Sequence, residues 1–108
     1  MSDGDRPGVS PGFAAFRSDA PAHHKAWMDA ASGLHAASVL DPKTEALAYL
    51  AVLAAVRMET GVPFHVKEAK RAGASRDEVI SAILIGLPAV GHGLVQTLPA
   101  ALAAYDGD

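Results

Sequence analysis

The run from Ala46 to Val56, Ala-Leu-Ala-Tyr-Leu-Ala-Val-Leu-Ala-Ala-Val, has no polar side. Its alanines and leucines favour helix, and a helix that is apolar all the way round must be surrounded. A chain of 108 residues builds one domain with one core. That domain covers only part of such a helix, so neighbouring subunits are expected to supply the rest. The signals for the helix start lie just ahead. Asp41 is placed to cap free amides, Pro42 suits the first helical position, and Glu45 favours the positive end of the dipole. The helix is expected to run from about Pro42 to Glu59.

The same punctuation recurs along the chain. Residues 1–10 hold Gly4, Pro7 and Gly8 and are expected to form a mobile tail, leaving 11–108 as the single domain. Phe13 and Phe16 fall at i, i+3, as in a short helix. Pro21 opens a second helix that is expected to end at Gly33. Gly61 and Pro63 separate the apolar helix from one ending at Ala72-Gly73. Ser75-Arg-Asp-Glu78 is a capping box, followed by Val79, Ile80, Ile83, Leu84 and Leu87 at helical spacing. Gly91-His92-Gly93 makes a corner. Leu94, Leu98 and Leu102 follow at intervals of four, with Pro99 bending or restarting that segment. β-branched residues are sparse. The pattern is all-α, with five or six helices.

Several function classes are disfavoured. A net charge of −3 with no basic stripe argues against a nucleic-acid partner. The chain has no cysteine, so disulfides, cysteine-ligated zinc and a catalytic thiol are excluded. The polar start lacks the apolar run of a signal peptide, and no apolar stretch approaches the roughly 20 residues that cross a bilayer. A soluble, cytoplasmic protein without a membrane role is expected.

Leu40-Asp41-Pro42-Lys43-Thr44 enters the apolar helix, Phe64-His65-Val66-Lys67-Glu68-Ala69 follows, and then comes Ala72-Gly-Ala-Ser-Arg-Asp-Glu-Val79. With Gly86-Leu-Pro-Ala-Val-Gly-His92 and Pro99-Ala-Ala-Leu-Ala-Ala-Tyr105, this order resembles the AhpD-like, or carboxymuconolactone decarboxylase, family over Leu40 to Asp106. The resemblance implies an AhpD-like helical fold and a homo-oligomer, trimer or hexamer. It also implies alkylhydroperoxidase ancestry with peroxidase activity run by a Cys-x-x-Cys pair. Counting back from His65, those positions are Met58 and Gly61, and neither side chain ionises as a thiol. The family's acidic relay falls on Ala46. Glu45 stands one residue away, about 100° round the helix.

His65 is the leading catalytic candidate, as a general acid or base facing a pocket. The plain alternative is a histidine bonded to a backbone carbonyl or buried at a subunit contact. His92 is the second candidate, set against an exposed corner histidine. Arg57 is placed to hold a substrate carboxylate, and Met58, Gly61 and Phe64 complete the candidate binding set. Trp27 and Tyr49 line a cavity or belong to a core. His65, His92 and Glu59 are the conceivable metal ligands, but no metal-binding spacing supports them, and neither metal nor cofactor is expected. Lys67, Lys70, Arg71 and Arg76 read as a solvated face. Three functions follow. They are a family member without thiol peroxidase chemistry, a decarboxylase or isomerase of small carboxylic acids or lactones using His65, and a non-catalytic ligand-binding or scaffold oligomer.

Overall fold

The computed structural model describes residues 9–107. The expected mobile tail therefore lies, except for Val9 and Ser10, outside the described residues. α1 (Pro11–Asp19) is capped by Ser10, whose Oγ accepts from the Phe13 amide at 3.1 Å. α2 (Pro21–Ala37) runs straight through Gly33 and stops four residues beyond it. Gly33 has open space where a Cβ would stand, and an exposed helical glycine costs only about 1 kcal/mol relative to alanine. The residue that ends α2 is Ser38, in an extended conformation.

α3 (Pro42–Ala55) begins as its sequence requires. Asp41 accepts from the Thr44 amide at 3.0 Å and from the Thr44 hydroxyl at 2.8 Å. These bonds, the amide first, hold its carboxyl below the ordinary range. The helix ends at Ala55, short of Glu59. Arg57 turns the chain with φ 57°, the Arg57 amide donates to Ala54 O at 3.0 Å, and the Met58 amide donates to Leu53 O at 2.9 Å. This is a Schellman motif with arginine at the left-handed position. α4 (Val62–Arg71) follows a 3-10 turn at Glu59–Gly61. It ends in the same motif, with Gly73 (φ 97°) turning the chain and the Ala74 amide bonded to Ala69 O at 3.0 Å.

α5 (Arg76–Leu84) carries the complete capping box. The Glu78 amide donates to Ser75 Oγ at 3.0 Å, and the Ser75 amide donates to Glu78 Oε1 at 2.8 Å. A one-turn α6 (Leu87–Val90) and a 3-10 segment (His92–Thr97) lead to α7 (Leu98–Asp106). Pro99 lies in the first turn of α7, where it starts the helix rather than bending it. Six helices of nine or more residues thus make an all-α fold, with no strand among the described residues.

α3 packs on α4 and α5, and α4 packs on α7. Leu50, Leu53 and Ala54 of α3 meet Val62, Val66, Val79, Ile83 and Leu94 in the core. Burying each of these larger aliphatics stabilises the fold by about 1.5–3 kcal/mol. The remaining sides of α3 stay uncovered in the protomer, with Val52 and Val56 about 60% exposed (59% and 60%). α1 and α2 contribute no buried residue. They pack on each other, with His24 edge-on to Phe13 and Phe16 at 5.5 and 5.6 Å. Among the described residues, a side-chain contact between His35 Nδ1 and Glu45 Oε1 at 2.8 Å joins α2 to α3. No described helix is long and apolar enough to cross a membrane.

Candidate active site at the junction of α3 and α4

His65 is the fourth residue of α4, and its position follows from the core on either side of it. Val62, Val66 and Ala69 face inward, so His65, one residue round from Val66, lies on the flank toward α3. There its ring rests on Tyr49 of α3, with centroids 4.5 Å apart, while Phe64 stands edge-on at 5.2 Å. Partial burial pushes the imidazole below its ordinary value of 6.5, and the Glu68 carboxylate one turn on opposes this more weakly. The ring is therefore neutral at pH 7. No hydrogen bond from another described residue ties it down, so the plain alternative of a carbonyl-bonded histidine is not what the fold contains.

The two positions that would hold thiols lie in the turn just ahead. The Gly61 amide donates to Met58 O at 3.0 Å, which keeps the two residues side by side. Met58 is half exposed at 51%. Gly61 has φ −86° and would admit a Cβ in ordinary contact, 3.7 Å from the Leu53 side chain. The turn thus admits side chains at both positions, which the resemblance assigns to the thiols. The acidic relay is missing. Ala46 packs against the core, and Glu45 points to His35 instead.

Arg57 reaches a different neighbour from the one the sequence suggests. Its side chain lies over Gly93, where a Cβ would stand 3.1 Å from Nη1 and 3.3 Å from Cδ. Arg57 is therefore drawn toward the Gly91-His92-Gly93 corner, and both Arg57 and His92 are exposed. The structure brings together His65, Phe64 and Tyr49 on one side, and Arg57 with the His92 corner on the other. Tyr49 becomes the ring against which His65 is oriented, and Glu68 its charged neighbour. Glu68 follows from i, i+3 spacing on α4, whereas Tyr49 needed the packing of α4 on α3. Trp27 is on α2, exposed and apart from this group.

A cavity of about 460 Å³ lies elsewhere, between α3 and α5, and is lined by Leu47, Ala48, Ala51, Asp77, Ala82 and Ile85 among others. His65 is not part of it. Among the described residues no three His, Asp or Glu side chains converge on a metal position. The basic cluster is spent on structure. Lys70 Nζ donates to Tyr105 O at 2.7 Å, Lys67 Nζ to Ala104 O at 3.4 Å, and Arg76 forks onto Asp106 at 2.9 and 3.1 Å. These bonds satisfy end carbonyls of α7 and hold α4 and α5 to it.

No curated protein and no solved structure was found to match the chain. A family model does match, over residues 21–105, and its description is the carboxymuconolactone decarboxylase family. The match spans most of the chain and takes in α2 through α7, together with Tyr49, Arg57 and His65. An all-α chain without cysteine that this family model matches over most of its length, it belongs to the carboxymuconolactone decarboxylase family.

Proposed function

We propose that this chain is an acid–base enzyme acting on a small carboxylic acid or lactone, with His65 as the proton carrier, and that it is not a thiol peroxidase. The observation carrying this reading is the state of His65: half-buried, neutral, tilted against the Tyr49 ring and free of any hydrogen bond within the described residues. In isomerisation a neutral imidazole in that setting takes a proton from carbon next to a carbonyl and gives it back to another carbon of the same enolate. In decarboxylation the carboxylate leaves as CO2, and the ring, protonated from solvent, donates to the enolate carbon left behind. Arg57, held in a left-handed conformation that costs a non-glycine residue about 1–2 kcal/mol and lying over Gly93, is the cation offered to the carboxylate of a substrate that reaches from His65 toward the His92 corner. Strain of this kind persists where a function holds it.

The uncovered apolar faces of α3 support a second element of the reading, assembly as a homo-oligomer, trimer or hexamer. They also favour a scaffold role should the acid–base reading fail. A panel of β-keto acids and unsaturated lactone acids, assayed for CO2 release and double-bond migration, tests the proposal. His65→Gln should lower turnover by on the order of 10²–10⁴ with the assembled mass unchanged. Full activity in that variant would defeat it.

A further inference from the structure

α2 is a helix of 17 residues, about 25 Å long, and not one of them is buried. His23, Trp27, Ala30 and Leu34 fall on one face at helical spacing. Trp27 is 60% exposed and Leu34 73%. α1 covers a neighbouring flank through His24, and Lys25 pairs with Asp29 at 2.7 Å on the opposite, solvated side. A helix of this length is marginal in water on propensity alone, so its apolar stripe calls for a surface to pack on.

The trough between α3 and α5 has the complementary form. The two helices run side by side in the same direction, with Lys43 paired to Glu78 at 2.8 Å at one end and Ala51 near Ile85 at the other. Alanines at 48, 51 and 82 make a low floor, which lets a helix approach closely and leaves room for an indole. Asp77 stands on the rim at the Glu78 end. His23 begins the stripe at the amino end of α2, where Ala20 supplies no side-chain cap and the helix dipole is positive. Large side chains thus face small ones, and the positive end of the α2 dipole faces the Asp77 carboxylate.

The chain's own α2 does not fill this trough, because no α2 residue lines it. The His35–Glu45 contact fastens the end of α2 to a side of α3 turned about 100° from Thr44. Only residues 38–41 separate the two helices, so α2 leaves α3 from the wrong flank to return.

We infer that α2 of one copy seats in the α3–α5 trough of a second copy, each chain giving one arm and receiving another. The inference rests on the assembly proposed above and is independent of the acid–base chemistry. Seated this way, His23 lies by Asp77, Trp27 over Ala48 and Leu34 near Ile85.

The cysteine-free chain makes the test direct. Full-length Leu34→Cys and Ile85→Cys proteins are mixed, allowed to exchange subunits and oxidised. The mixed disulfide should exceed that formed by Leu34→Cys with Thr44→Cys by on the order of tenfold, since docking sets the effective concentration. Light scattering gives the assembled mass, and fluorescence of Trp27, the sole tryptophan, reports its burial. An oligomer that forms no Leu34–Ile85 link overturns the docking while leaving assembly intact. A Leu34→Cys/Ile85→Cys double variant that closes an internal disulfide at monomer mass assigns the trough to the chain's own arm and also overturns it. A monomer at all micromolar concentrations, with solvent-exposed Trp27, defeats both the docking and the assembly.

Discussion

The ring of His65 on α4 lies 4.5 Å from the ring of Tyr49 on α3, tilted by 49°, and this contact both orients the imidazole and withdraws it from water. Because burial lowers its pKa below 6.5, the folded state resists taking the proton that the unfolded chain accepts. The unfolded state binds more protons just below pH 6.5, so stability rises with pH there and falls as pH drops through that value. The loss levels off below the folded-state pKa. Denaturant melts between pH 5 and 8 should show this slope in the native chain and a flatter one in His65→Gln. Equal slopes would mean that His65 is as well solvated folded as unfolded.

Arg57 and Gly73 occupy the same position in two helix-ending motifs, one with arginine and the other with glycine. Replacing Arg57→Gly should stabilise the fold by roughly 0.5 kcal/mol or more, the relief of left-handed strain exceeding the entropy that glycine adds to the unfolded chain. On the proposed substrates the same change should raise KM. A destabilised Arg57→Gly protein in urea melts would show that the arginine's contact over Gly93 outweighs the strain.

Gly93 is the partner of that contact. A methyl at this position would meet Arg57 Nη1 at 3.1 Å, so Gly93→Ala should displace the guanidinium while leaving the core intact. Turnover should suffer through KM, with the thermal midpoint moving little. A KM unchanged in Gly93→Ala would separate Arg57 from substrate binding.

The Met58–Gly61 turn has room for a Cβ at Gly61 and leaves Met58 half exposed. The native chain is expected to show no dithiol-dependent turnover of organic hydroperoxide. In Met58→Cys/Gly61→Cys the turn should accept both side chains and acquire that turnover, which a further His65→Gln change should cut by on the order of 10². Robust peroxidase activity in the native, metal-free protein would reverse the reading of the site.

The Ser75–Glu78 capping box also holds Lys43, so one carboxylate ties the start of α5 to the start of α3. The Lys43 ammonium first, and then the Ser75 amide, keep the Glu78 carboxyl below its ordinary range. That stability is present above the unfolded carboxylate range and is lost as pH falls through the lowered value. Ser75→Ala should cost about 1 kcal/mol, measured by urea denaturation at pH 7.

The helix starts and the all-α class were legible in the sequence because their causes are local. Asp41 with Pro42, and Ser75 with Glu78, meet amides within one turn of themselves, and such pairs need no tertiary partner. The apolar ring of α3 was legible in the same way, and its bare Val52 and Val56 follow from it. Helix ends were less legible. Gly33 passes through a helix because an exposed glycine costs little, whereas Arg57 ends one where glycine would be expected, since long-range contact over Gly93 holds it. The site divides along the same line. That His65 follows the Met58–Gly61 turn within one chain segment could be read off the sequence. Only the packing of α4 on α3 set Tyr49 against His65 and turned Arg57 toward the His92 corner, because the angle between two helices is decided by the side chains that interlock between them and not by either helix alone.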